Sequence, residues 1–366
     1  MKIELSKYRN FLYSKLGIPI RLFSGFKKAP IQFITEKQEW SIHMDGVNIT
    51  YQINKNKNKE MAQISNFPFI FANKIVHFGS QYMWTKWENF ITKNNKYVST
   101  FYHGKHQDGK YVSEHINKFI ESSSKLSKIV TGSTLIEKRL LKWGIKKEKL
   151  IKIPIGVDTK LFSPPSLKEK FYIREKLGIK NDKIVIGSFQ KDGEGWKEGK
   201  IPKLIKGPDL FVDSVLKISK HLPVIVLLTG PARGYVKERL YKNNIEFIHF
   251  YYSNPREIAS CYKALDLYLV TSREEGGPKA IVEGMASGVP MVTTNVGMAS
   301  DFVFPGITGS IGKMNSDSIS EQALSLYNSK NLKKIIKTAR KNVLFADWNN
   351  VAKLYWDKIY KPLLKN

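Results

Sequence analysis

From Ile31 almost to the end of the chain, short β-rich runs alternate with longer polar or helix-period segments, and no other feature limits the possible folds as strongly. Strands that alternate with helical crossovers build a parallel sheet covered on both faces, which excludes a β-sandwich or a helical bundle. The predicted strands of a first series are Ile31 to Thr35, Ile75 to Phe78, Tyr97 to Tyr102, Lys128 to Thr131 and Leu150 to Ile153. Pro154, Pro164 and Pro165 then break the pattern around Gly156-Val157-Asp158, where neither helix nor strand continues easily. A second series follows, with strands at Ile184 to Ser188, Val224 to Thr229, Glu246 to Phe250, Leu267 to Thr271 and Pro290 to Thr294. Its helices are expected at Asp209 to Lys220, Arg256 to Ala264, Lys279 to Ser287 and Ser318 to Tyr327. At roughly 150 residues per domain, 366 residues suffice for two. The expected fold is α/β, two Rossmann-like doubly wound domains facing a central cleft. In such sheets ligands bind beyond the carboxyl ends of the strands, so the residues after Ser188, Thr229, Thr271 and Thr294 are where function should sit.

Sixty basic against 32 acidic residues give a net charge of +28, with an excess of 15 in the first 158 residues and 13 in the remaining 208. Such a charge draws a protein toward anionic lipid, nucleic acid or an acidic polymer. Only nine of the bases are arginine, and a lysine-rich genome would produce the same bias. No zinc-finger, RNP or KH signature is present, so a membrane or an acidic acceptor is favoured over nucleic acid. Cys261 has no second cysteine with which to form a disulfide or a thiolate zinc site, which suits a reducing cytosol. The longest apolar stretches fall far short of the ~20 residues of a membrane-spanning helix. Met1 to Leu16 is interrupted by Lys2, Glu4, Lys7 and Arg9, unlike a secretory signal. A cytoplasmic protein, at the inner face of the membrane, is expected.

After the strand ending at Thr271 comes Ser272-Arg273-Glu274-Glu275-Gly276-Gly277-Pro278-Lys279-Ala280-Ile281-Val282-Glu283. Pro278 suits a first helical position, the glycines admit a ligand close to the backbone, and Gly288 before Pro290 suits a helix stop. The free amides of Lys279 and Ala280, with the helix dipole and the Lys279 ammonium, should attract a phosphate. Glu275 and Glu283 would flank that phosphate and accept hydrogen bonds from hydroxyls, a combination suited to a nucleotide-diphosphate sugar; a solvent-facing role for Glu283 is the alternative. The loop after Ser188 carries Lys191 and, beyond a glycine-rich insertion, Lys206-Gly207-Pro208-Asp209, a second glycine–proline helix start with a lysine before it. Two such cationic entrances could clamp a diphosphate; equally, Lys191 and Lys206 are two of many lysines.

Glu275, seven residues, Glu283 and then Gly284-Met285-Ala286-Ser287-Gly288-Val289-Pro290 resemble the signature of family 4 glycosyltransferases of the GT-B fold. Ile153-Pro154-Ile155-Gly156-Val157-Asp158 with Phe162 and Pro164, Asn295-Val296-Gly297, and Gly306-Ile307-Thr308-Gly309 resemble further segments of that family in order, from about Lys128 to the C-terminus. The resemblance implies retaining transfer of a sugar from a nucleotide donor to a glycan or lipid-linked acceptor, in cell-surface polysaccharide synthesis. It implies an acceptor-binding domain over 1–158, a nucleotide-sugar domain over 159–345, and a helix over 346–366 crossing back onto the first domain. Glu283 would hold the ribose diol, Glu275 the donor sugar hydroxyls, Lys206 with Lys191 the diphosphate, and the amides after Gly276, through Gly277 and Lys279, the phosphate and sugar. His103 would contact the donor sugar near the reacting carbon, with Glu275 and Lys206 completing the catalytic set.

Pro278 stands where many relatives have glycine, and the usual glycine-rich loop after the first strand is missing, with Gly25 or Gly79-Ser80 as replacements. Asp108 is expected to cap a turn, Tyr82, Trp84, Trp87 and Phe90 to pack a helix or in part to form an acceptor platform, and Arg233 to approach the nucleotide or pair at the surface. The Asn54 to Lys59 run reads as a solvated turn. No Asp-X-Asp triplet occurs in the chain, so no metal or other cofactor is expected and lysines with helix dipoles are assigned the leaving charge. The alternatives are a GT-B nucleotide-sugar epimerase and, from another class, a basic nucleic-acid-binding protein.

Overall fold

The computed structural model describes residues 29–36, 41–252 and 254–365. The chain forms two compact units, Met1–Ile155 with Trp348–Asn366, and Gly156–Asp347. It therefore changes unit at 155/156 and returns at 347/348, against 158/159 and 345/346 from the sequence.

The first unit runs β1 (Ile31–Ile34), α1 (Ser41–Lys57), β2 (Ala62–Ser65), β3 (Ile75–Phe78), α2 (Gln81–Trp87), β4 (Lys96–Thr100), α3 (Lys110–Ser122), β5 (Lys128–Thr131), α4 (Thr134–Lys142) and β6 (Leu150–Lys152). Its sheet has the order β2-β1-β3-β4-β5-β6, every pair parallel. All four residues of β1 and of β3 are buried, as in strands covered on both faces. One face packs Phe78, Trp84, Phe101 and Phe119. The other packs Phe33, Ile49, Val98 and Val130 against Val351, Ile359 and Tyr360 of the terminal segment, a helix at Trp348–Tyr355 continued by a π-helical stretch, Trp356–Tyr360. That segment is tied to the sheet centre by buried His77 of β3, whose Nδ1 is 2.6 Å from the Tyr360 hydroxyl and whose Nε2 is 3.0 Å from Thr100 Oγ1. Burial disfavours the imidazolium and lowers the His77 pKa to about 3.

Asn54 to Lys57 form the last turn of α1 rather than a free turn. The Asn54 side chain bonds the Met61 and Ala62 amides and the Ala62 carbonyl at 2.8–2.9 Å, so it fixes the start of β2. The sheet winds in opposite senses from β1 and β3. Gly79 sits at that point: its amide donates to the Ile34 carbonyl at 2.9 Å, and a Cβ there would lie 2.9 Å from the same oxygen. Ser80 then caps α2, accepting from the Met83 amide at 3.3 Å. Gly25 and Met1 to Leu16 lie outside the described residues.

The second unit runs α5 (Leu167–Lys176), β7 (Ile184–Phe189), α6 (Pro208–Ile218), β8 (Val224–Thr229), α7 (Gly234–Lys242), β9 (Glu246–Phe250), α8 (Pro255–Lys263), β10 (Leu267–Val270), α9 (Lys279–Ala286), β11 (Met291–Thr294), α10 (Ala299–Phe302), β12 (Ser310–Gly312), α11 (Ser316–Tyr327) and α12 (Leu332–Val343). Its parallel sheet has the order β12-β11-β10-β7-β8-β9. The first strand, β7, lies between β8 and β10, so the winding reverses between β7 and β10. In sheets wound this way, ligands bind beside the loops that leave the two strands flanking the reversal.

Candidate active site

Two loops meet at this reversal point. The loop from β7 ends in Lys206-Gly207 and enters α6, with Pro208 at its first position and Gly207 left-handed at φ 64°. A Cβ on Gly207 would come within 1.9 Å of the Thr271 carbonyl oxygen, and Thr271 Oγ1 donates to the Gly207 carbonyl at 2.8 Å. Only glycine allows both the φ and the contact, and it presses the loop of β7 onto the end of β10. Consequently the Lys206 ammonium pairs directly with Glu275 Oε1. Ser272 Oγ holds the same carboxylate oxygen at 3.2 Å. The side chains are 26% and 14% exposed, so the pair is open enough for a ligand to enter and dry enough for charge to matter.

A third loop, after β11, backs the site. Thr294 Oγ1 donates to the Ser272 carbonyl at 2.6 Å, and a Cβ on Gly297, at φ 51°, would lie 2.9 Å from the Glu275 and Gly276 carbonyl oxygens. Gly276 and Gly277 lead into α9, whose first residue is Lys279. Pro278 takes the N-cap position instead of the first helical position, with ψ 112°. The helix ends as expected, the Gly288 amide donating to Met285 and the Val289 amide to Gly284, with Gly288 at φ 72°. Glu283, half-buried, accepts from the Tyr262 hydroxyl at 3.0 Å rather than pointing freely to solvent. Tyr262 is wholly buried, stacked on Tyr268 at 5.4 Å, and burial together with Tyr268 and Glu283 pushes its phenol well above the usual range.

The insertion between Lys191 and Lys206 is ordered by its glycines. Gly193 bridges Pro202, the Glu194 amide donates to the Ile201 carbonyl at 2.9 Å, and Gly193 and Gly199 both pack on the Ala232 backbone. The Lys191 ammonium lies 3.7 Å from the centre of the exposed Trp196 ring, a cation–π contact. Lys203, which spacing did not single out, is part of the same cluster: desolvation, then Lys206 and Lys191, lower its pKa, while Glu275 opposes them.

Several expectations change. The first turn of α6 is not an open anion site. Arg273 grips Asp209 with two bonds, at 2.8 and 2.6 Å. Burial would raise the Asp209 pKa, but Arg273 and the Leu210 amide hold it below the usual range. The start of α7 is likewise occupied, since the Gly234 and Tyr235 amides donate to the Glu198 and Gly199 carbonyls at 2.6 and 3.0 Å. Arg233 neither lies at the surface nor reaches outward. It is buried, 2.9 Å from buried Asp192, and donates to the Ser188, Gln190 and Thr229 carbonyls.

His103 belongs to the first unit, is half-buried, and its carbonyl accepts from Gln81 Nε2 at 3.0 Å. His106 is held by Asn117 at 3.0 Å against the edge of Trp143. Asp108 caps its turn, accepting from the Lys105 amide at 2.8 Å. Trp84 and Trp87 are core residues, whereas Tyr82 is exposed and stacked on His115 at 4.2 Å. Thus the second unit brings Lys206, Glu275, Gly276 and Gly277 to one point, with Lys279 and Glu283 along the adjoining helix and Lys191 held aside on Trp196. Ser272, Tyr262 and Lys203 were missed: Ser272 and Lys203 each lie three residues before Glu275 and Lys206 in loops without a helical period to relate them, and Tyr262 meets Glu283 only through the fold.

Residues 200–342 match the model of glycosyl transferases group 1. The matched segment contains Lys206, Glu275, Gly276, Gly277, Lys279 and Glu283; Lys191 and His103 precede it. Among similar proteins are the lipopolysaccharide core biosynthesis mannosyltransferase LpsB of Rhizobium meliloti, 33% identical over 159 residues, and the alpha-monoglucosyldiacylglycerol synthase of Streptococcus pneumoniae, 26% identical over 168. These matches cover 41% and 45% of this chain but only 42% and 36% of the relatives, so the chain spans less than half of either. Among solved structures, Anabaena HepE in complex with UDP and glucose is similar with a TM-score of 0.73 at 15% identity, over 92% of this chain and 99% of that one. At that identity the likeness shows the fold: two Rossmann-like α/β units, as in GT-B proteins.

Proposed function

We propose that the protein is a family 4 retaining glycosyltransferase. It moves a sugar from a nucleotide-diphosphate sugar to a glycan or lipid-linked acceptor of cell-surface polysaccharide synthesis, without a metal ion and in peripheral contact with an anionic membrane. The observation that carries this reading is the Lys206–Glu275 pair at the reversal point of the group 1 unit, where one cation and one hydroxyl-accepting carboxylate adjoin the start of α9. The UDP held by the HepE structures and the mannosyl- and glucosyl-transfer names of relatives support a nucleotide-sugar donor.

Lys206 neutralises Glu275. A bound diphosphate draws Lys206 away, and Glu275 exchanges the ammonium for sugar hydroxyls. Lys191, released from Trp196, joins Lys206 and the α9 dipole in stabilising charge on the leaving diphosphate as the sugar becomes oxocarbenium-like. The acceptor hydroxyl attacks from the departing face and gives its proton to the leaving phosphate, so no protein nucleophile is involved. Glu283 receives the ribose diol. Thermal unfolding with UDP, GDP, ADP and CMP compounds tests the reading: the cognate base at a hundredfold over Kd stabilises by about 2.7 kcal/mol. No response to any member of the panel contradicts donor binding, and conversion of the nucleotide sugar without acceptor would point to epimerisation instead.

A further inference from the structure

Helix α5 is built inside out. A helix on a globular protein ordinarily turns its apolar stripe inward and its charges to water. In α5, Leu167-Lys168-Glu169-Lys170-Phe171-Tyr172-Ile173-Arg174-Glu175-Lys176, the one buried residue is an arginine. Arg174 Nε donates to the Ala264 carbonyl at 3.0 Å and its terminal nitrogen pairs with Asp266. Lys170 reaches Asp266 and the Leu265 carbonyl at 2.7 and 2.8 Å, and Glu169 accepts from Lys263 at 2.7 Å. Arg174, Lys170 and Glu169 therefore fasten the helix to Lys263 of α8 and to the 264–266 link before β10, with Ile173 half-buried beside them, while Leu167 (75% exposed), Phe171 (48%) and Tyr172 (55%) face out among Lys168, Glu175 and Lys176.

Three large apolar side chains left in water within two turns cost the fold stabilisation it could have had from burying them, which marks the face as one that something else covers. The rim identifies what. Exposed Lys168 and Lys180 border, with Phe171 and Tyr172, a shallow depression of about 580 Å³. The exposed Lys176 ammonium stands 4.6 Å from the Tyr172 ring centre. Glu175 is the acidic side chain at the depression. Lysines on long flexible stems around a phenylalanine and a tyrosine suit a layer of phosphates over hydrocarbon better than a surface with fixed carboxylates, and the chain's +28 charge acts in the same direction.

We infer that α5 is a docking surface for an anionic bilayer, with Leu167, Phe171 and Tyr172 entering the headgroup region and Lys168, Lys176 and Lys180 meeting lipid phosphates. This assigns a surface to the membrane contact proposed above, and it is read without any sugar transfer, so its failure is separate from failure of the donor assignment.

Flotation of the full chain tests it with vesicles of phosphatidylcholine alone and of phosphatidylcholine with equimolar phosphatidylglycerol. Expected is binding to the anionic vesicles only. It should fall ~10-fold or more in Phe171→Ser/Tyr172→Ser and in Lys168→Glu/Lys180→Glu, both retaining nucleotide-induced stabilisation. Tyr241→Ser, at an exposed position elsewhere in the same unit, should bind like wild type. Absence of wild-type binding, equal binding to both vesicles, or undiminished binding of the α5 variants overturns the inference. So does a concentration-dependent dimer, seen by sedimentation, that the Phe171/Tyr172 variant abolishes, because a second copy would then be the occupant.

Discussion

Lys206 and Glu275 neutralise each other across two loops, so removing either leaves the other without its partner. Lys206→Ala and Glu275→Ala should each lower turnover ~10²-fold or more, the scale of losing one preorganised charge at a reacting centre. Both side chains are partly solvated, so melting temperatures should move little; steady-state kinetics with calorimetry checks both halves of the prediction. Arg233 and Asp192 present the opposite case, a pair with neither side chain exposed. Arg233→Met strands a buried carboxylate and three carbonyls, and denaturant unfolding should show a loss of about 3–5 kcal/mol. His77 sets an acid limit on the first unit. Its folded pKa of about 3 lies below the ordinary 6.5, so the unfolded chain takes up the proton first. The stabilisation is complete above pH 6.5 and declines toward pH 3. Unfolding midpoints should therefore fall with acidity in wild type and more weakly in His77→Gln.

At the scale of elements, the position of Lys206 depends on Gly207. Gly207→Ala must strain a left-handed φ and push against the Thr271 backbone, so it should cost at least ~2 kcal/mol and abolish nucleotide-induced stabilisation, even though no ligand-binding side chain is altered. The same element level explains what could be read from the chain. Strands such as Val224–Thr229 and Glu246–Phe250 stand out because β-branched and aromatic residues are bounded by turn residues. Ala62–Ser65 escaped because Ala-Gln-Ile-Ser has no such run; Asn54, from the preceding helix, orders it. Ser310–Gly312 is three residues long and exists by pairing with β11. Glu275 and Lys206 were singled out from loops that follow strands, and the fold pairs them, whereas Arg233 was misread because its partner, Asp192, lies in a different loop. The glycine–proline start at Pro208 looked like an anion site, but Asp209 fills it with the support of Arg273, distant in sequence.

At the scale of the molecule, each unit has its own core, with Phe78, Trp84 and Phe119 in the first and Phe211, Val226 and Leu269 in the second. Calorimetry should resolve two transitions, and the cognate nucleotide should raise the one belonging to the second unit. The terminal segment supplies Val351, Ile359 and Tyr360 to the first unit's sheet, so a chain stopped at Asp347 should lose the first unit's transition and keep the other. The first unit is thus interrupted in sequence by the whole of the second. On the ribosome, residues 29–155 emerge first yet await a helix translated nearly two hundred codons later, while the lobe carrying the Lys206–Glu275 pair is already complete. Maturation should run in reverse of chain order, the later-made lobe settling first and the earlier one closing only as the last helix arrives.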